Sequence, residues 1–125
     1  MLAKAQVMPT IPVVDLARAR EFYEGRLGLK PAGPSTPDGI LYECGGGTRL
    51  FLYPRAATKA DHTVASFAVD DIESAVRGLK ARGVVFEDYD LPDFTTTGSI
   101  ATLATEKAAW FKDTEGNILA VSQFL

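Results

Sequence analysis

The side chains of this chain that could do chemistry are few and scattered. His62 is its only histidine and Cys44 its only cysteine, so no internal disulfide and no thiolate metal site can be written. A general base could be that imidazole, a carboxylate or a tyrosine. Tyr53, Glu43, Asp88 and His62 are the candidates, yet their spacing forms no recognisable dyad, and a histidine at a strand end is more often solvated than catalytic. Asp113, Glu115 and Asn117 could begin a calcium loop. The glycine of that run comes fourth where such a loop needs it sixth, and no glutamate closes it at the twelfth place, so a hairpin turn is the better reading. Gly45-Gly46-Gly47 suggests a phosphate cradle, but it joins two strand-like runs and no Lys-Ser or Lys-Thr follows it; a flexible turn is expected there instead.

Bulk properties narrow the field further. With 125 residues, 46% of them hydrophobic, the chain is long enough for one compact domain, 1–125, and short for two independent cores. The net charge of −3 is spread among mixed signs and gives no basic stripe for phosphates, so nucleic acid is not an expected partner. No signal peptide or membrane-length apolar run is visible, which predicts a cytoplasmic protein without a membrane partner.

The elements that must position any site follow from periodicity. Residues 7–14 read as a strand made irregular by Pro9 and Pro12. Asp15 then caps a helix whose buried stripe is Leu16, Ala19, Phe22, Tyr23 and Leu27, ended by Gly28. A loop is expected over 30–38, strands over 40–44 and 48–53, and a polar connector over 54–61. The order then starts again. A strand at 62–69 leads to a helix capped by Asp71, carrying Ile72, Ala75, Val76 and Leu79 and ended by Gly83. A strand at 84–89, a loop at 91–99, a short strand or loop edge at 100–104 and a closing hairpin over 107–125 complete the chain. Val14-Asp15-Leu16 matches Asp70-Asp71-Ile72, and Gly28-Leu29 matches Gly83-Val84. The chain is thus an internal duplication, with module 1 at about 5–57 and module 2 at about 60–125, and neither has enough apolar surface to stand alone.

The closing hairpin, Phe111-Lys112-Asp113-x-x-Gly116-Asn117, together with the duplicated strand–helix–strands order, resembles the vicinal oxygen chelate superfamily, which includes glyoxalase I, extradiol dioxygenases and bleomycin-resistance proteins. The resemblance implies an α+β fold of two βαβββ modules forming a curled mixed sheet with a concave cup. In metal-dependent members the ligand positions, carried over by spacing, fall on Met8, Phe51, Val64 and Ala120. A thioether, a phenyl ring and two aliphatic groups cannot complete the shell of a divalent ion. No metal and no other cofactor is expected.

Strand parity brings further residues onto the inward faces. The expected ligand-binding set is Met8, Arg49, Phe51, Tyr53, Val64, Ser66, Phe94, Trp110 and Ala120. The aromatic rings would stack, Met8 would adapt, and Arg49 would meet an anionic or carbonyl oxygen. Segment 88–106, which holds Phe94, is long for a connector and reads equally as a lid or as a loop packed for stability. The resemblance also implies a homodimer. The expected function is metal-independent binding of an aromatic or apolar small molecule, such as a natural product. An enzyme of the same fold, a lyase, isomerase or dioxygenase, is the alternative.

Overall fold

Two aspartates, one near the start of each half, set the local frame. In the computed structural model, which describes residues 1–59 and 61–125, Asp15 accepts a hydrogen bond from the Arg18 amide at 3.0 Å, and Asp71 accepts one from the Ser74 amide at 3.1 Å. Each carboxylate satisfies an amide that the first helical turn leaves without a partner. Both helices stop at a glycine in the left-handed region, Gly28 at φ 75° and Gly83 at φ 89°. The chain forms two compact units, Met1–Lys59 and Ala60–Leu125. The architecture is α+β.

In the first unit, strand β1 (Thr10–Val13) leads to helix α1 (Leu16–Arg20), which continues as a π-helical turn, Glu21–Arg26. Strands β2 (Lys30–Pro31), β3 (Ile40–Glu43) and β4 (Arg49–Pro54) follow. The sheet order is β1-β4-β3-β2, with β1 parallel to β4 and the remaining pairs antiparallel. Ile11, Val13, Ile40, Tyr42, Leu50 and Leu52 are buried on one face together with Ala19, Phe22 and Tyr23 of the helix. Burial of each large apolar group is worth roughly 1.5–3 kcal/mol. Tyr23 stacks on Tyr42 with ring centres 6.2 Å apart. The opposite face carries Thr10, Pro12, Leu41, Glu43, Arg49, Phe51 and Tyr53. Although 30–38 was expected to be a loop, Lys30 and Pro31 pair with Glu43 and Tyr42. A proline is tolerated in β2 because that strand lies at the edge.

The second unit runs β5 (Thr63–Ala68), α2 (Ile72–Ala81), β6 (Thr96–Thr97), β7 (Ile100–Thr102), β8 (Glu106–Lys112) and β9 (Ile118–Phe124). Its sheet order is β5-β9-β8-β7-β6, with β5 parallel to β9. Ala109, Phe111, Leu119 and Val121 form a buried face with Ile72 and Val76 of α2 and with Val84 and Phe86. The expected strand over 84–89 is reduced to a bridge between Phe86 and Phe111 and a 2.7 Å hydrogen bond from the Glu87 amide to the Trp110 carbonyl. Conversely, the expected loop over 91–99 contains β6, which joins β7 through a two-residue turn at Gly98 (φ 59°) and Ser99 (φ 69°). Positive φ at both positions matches the right-handed twist of a hairpin. Among the described residues no helix is long and apolar enough to cross a membrane.

Candidate functional site

The closing hairpin is held by its own side chains. Asp113 accepts from the amides of Glu115 and Asn117 at 2.8 and 2.9 Å and from the Asn117 side-chain amide at 2.9 Å. Its oxygens are therefore engaged by the turn, as the hairpin reading requires. This fixes the register of β8 against β9, so Glu106, Ala108 and Trp110 lie opposite Phe124, Ser122 and Ala120. On the other side of β9, Ala68 lies beside Ser122 and Ser66 beside Ala120. All eight share the face turned away from α2, because side chains alternate along each strand.

With Thr63 these residues line a concavity of about 380 Å³. Its floor is made of alanines and serines, with Trp110 at one end and Glu106 and Phe124 at the other. Four residues along a strand and two strand spacings across give a floor roughly 13 Å long and 10 Å wide. The face under α2 is filled by Phe, Leu and Val, whereas small side chains here leave room for something else. The Ser66 and Ser122 hydroxyls are 2.9 Å apart. Whichever accepts that hydrogen bond keeps its own proton for a further acceptor.

Trp110 is braced by two further rings. The ring of Phe94 is 5.3 Å away and tilted by 39°, and that of Tyr89 is 5.6 Å away and edge-on. Tyr89 and Phe94 also meet each other edge-to-face at 5.6 Å. Burial, with Glu87 nearby, pushes the Tyr89 phenol up from its ordinary pKa, so it stays neutral at physiological pH. The segment carrying these rings is tied down by Asp88, which accepts from the Ser99 hydroxyl at 3.0 Å.

The structure thus brings Ser66, Trp110 and Ala120 together, with Phe94 against the indole. Val64 is corrected. A register shift between Thr63 and Ala65 turns Thr63, not Val64, into the lining, since a bulge reverses parity beyond it. His62 lies outside the concavity; its ring is 73% exposed and 3.7 Å from the Asp61 carboxylate. Glu106, Phe124 and Thr63 were not among the expected site residues. Extending the alternation of β8 and β9 by one step would have found the first two; only the bulge reveals the third.

In the first unit, Arg49, Phe51 and Tyr53 share one face of β4, between buried Leu50 and Leu52. Thr10 and Leu41 flank Phe51, Pro12 flanks Tyr53, and Glu43 lies opposite Arg49. Met8 precedes β1 and is 41% exposed. The acid–base candidates do not assemble within either unit. Glu43 and Tyr53 are separated by the length of β4, and Asp88 is bound to loop hydroxyls.

A family model described as the Glyoxalase/Bleomycin resistance protein/Dioxygenase superfamily matches residues 5–121. The chain belongs to that superfamily. No curated protein sequence matches it. Among solved structures, it is similar to TnmS3, an antibiotic binding protein from Streptomyces sp. CB03234, at 20% identity and TM-score 0.69, over 100% of this chain and 99% of that one. A glyoxalase/bleomycin resistance protein/dioxygenase from Alicyclobacillus acidocaldarius gives 21% identity and TM-score 0.69, over 98% and 92% of the two chains. A glyoxalase/bleomycin resistance protein from Catenulispora acidiphila gives 19% identity and TM-score 0.66, over 96% and 98%.

Metal-dependent members of the superfamily need a set of nitrogen and carboxylate donors, and the residues present do not fit one. In the second unit, the Ala120 methyl lies between Trp110 and Ser66 by register. In the first, Met8 and Phe51 offer a thioether and a ring. Among the described residues no three His, Cys, Asp or Glu side chains gather into a metal-binding group.

Proposed function

We propose that this superfamily member is a small-molecule binding protein, and that its ligand is a flat aromatic compound lying on the floor of the second-unit concavity with its ring system against Trp110. One observation carries the reading: an indole held in place by two other rings borders a floor of alanines and serines. A face meant only as core would carry branched or aromatic side chains there, as the α2 face does. Apolar walls with a few hydroxyls are the usual make-up of a ligand pocket. Binding by stacking and shape needs no chemical step, so capture of the ligand is itself the activity. The fold neighbour that is an antibiotic binding protein makes aromatic natural products reasonable test ligands.

Trp110 is the only tryptophan, and its emission reports on the site directly. Titration with 9-anthracenemethanol, an uncharged planar aromatic, should quench that emission saturably, and Trp110→Ala should weaken binding measured by calorimetry by roughly 1–3 kcal/mol. No saturable binding of this compound or of an aromatic antibiotic panel would defeat the reading.

A further inference from the structure

Resting on that reading of the concavity, we infer that Glu106 selects the charge of the ligand, and that the preferred ligand class is a flat aromatic bearing a protonated amine. Among the described residues that line the concavity, Glu106 alone is charged. Lys107, the next residue on β8, faces the opposite way and is engaged by Glu73 at 3.0 Å. Among the described residues no cation or hydrogen-bond donor meets the Glu106 carboxylate. Its backbone is fixed, since its carbonyl accepts from the Leu103 amide at 2.8 Å, which anchors the residue at the end of the floor away from Trp110.

Directly opposite Glu106 in the ladder stands Phe124, whose side chain lies at the surface with 69% of the residue exposed. A carboxylate beside an open aromatic ring is a place for an ammonium group, attracted by the anion and by the negative face of the ring. A carboxylate or sulfonate on the ligand would be repelled at the same place. The two ends of the floor therefore ask for different things: a ring system at Trp110 and a cationic nitrogen toward Glu106. The Ser66–Ser122 pair between them offers hydrogen bonds to polar groups on the rings.

A matched series tests this: 9-(aminomethyl)anthracene, 9-anthracenemethanol and 9-anthracenecarboxylate, titrated by calorimetry into the intact chain. The amine should bind about tenfold more tightly than the alcohol at low salt, the carboxylate more weakly than either, and the gap should shrink as salt rises. In Glu106→Gln the amine and alcohol affinities should converge, and Glu106→Lys should turn the preference toward the carboxylate. Equal binding of amine and alcohol to the wild-type chain, or a gap that survives Glu106→Gln, overturns the role of Glu106 while alcohol binding still upholds the pocket. Failure of all three compounds to bind overturns both.

Discussion

The ring of Phe94 lies 5.3 Å from that of Trp110, inclined at 39°, so a residue from the excursion between α2 and β8 fixes the indole that borders the concavity. Aromatic pairs of this kind contribute about 0.5–1.5 kcal/mol beyond the area they bury, and Phe94 makes a second one with Tyr89. Phe94→Ala should therefore loosen the indole, shift its emission to the red and lower stability by roughly 1–3 kcal/mol. Affinity for 9-anthracenemethanol should fall even though Phe94 is not part of the lining. Unchanged emission and affinity would mean that the indole is held without it.

Ser66 and Ser122 share one hydrogen bond but differ in exposure, which makes their alanine variants unequal. Ser122 is 4% exposed, whereas Ser66 is open on the parallel edge strand. Ser66→Ala leaves a buried hydroxyl without its partner, a loss of about 1–3 kcal/mol. Ser122→Ala leaves a hydroxyl that water can reach, and should cost less. The double variant should resemble Ser122→Ala. Urea unfolding of the three variants measures the order directly; equal losses for the two single variants would place the stabilisation elsewhere.

How far these features were legible in the sequence depended on whether local chemistry or pairing decided them. Asp15, Asp71, Gly28, Gly83 and the Asp113–Asn117 turn act through hydrogen bonds and φ values within a few residues of themselves, so residue types at fixed spacing sufficed. Alternation likewise predicted that Ser66, Trp110 and Ala120 share a face. It did not foresee Thr63 in the lining, because a bulge leaves no mark in composition and reverses every side chain beyond it. The stretch 84–102 misled for a different reason. Val84 and Phe86 are apolar because they cover the α2 face, not because they pair as a strand, while Thr96 and Thr97 pair with Ala101 and Ile100 without any apolar run to announce it. Phe94 was expected as part of a lid or a packed loop, and its contact with Trp110 could be read only once the chain was folded.

Gly39 gives a stability prediction in the first unit. It sits at φ 142°, where L side chains are strained, and a Cβ there would collide with the Leu52 carbonyl oxygen and come within 2.7 Å of the Phe51 ring. Phe51 thus covers a glycine that has no space for a methyl group. Gly39→Ala should lower stability by about 1–3 kcal/mol and displace Phe51 from the face it shares with Arg49 and Tyr53. Thermal unfolding checks the size; an unaltered melting temperature would show that the β3–β4 ladder yields easily at this point.

Glu24 ties the π-helical turn to the sheet and should shape the stability of the chain at both ends of the pH scale. It accepts from Arg20 at 2.8 Å and from the Tyr42 hydroxyl at 2.8 Å. The Arg20 hydrogen bond, helped by that of Tyr42, holds its carboxyl below the ordinary 4.5, against a smaller opposing effect of burial. The unfolded chain therefore takes up the proton first as the pH falls. Stability should be fully present above about 4.5 and decline as the pH drops through the lower folded value. Tyr42 behaves in the opposite sense. Burial first, and the neighbouring Glu24 carboxylate second, push its phenol well above the ordinary 10.0, so the unfolded chain loses that proton first and stability declines as the pH rises beyond about 10. Tyr89, also raised by burial, adds to this alkaline decline. Urea midpoints across pH should form a plateau with both limbs falling. Glu24→Gln should flatten the acid limb, and Tyr42→Phe should flatten part of the alkaline limb while making the acid limb shallower, because Glu24 loses one of its donors. An acid limb unchanged by Glu24→Gln would assign the acid sensitivity to other carboxylates.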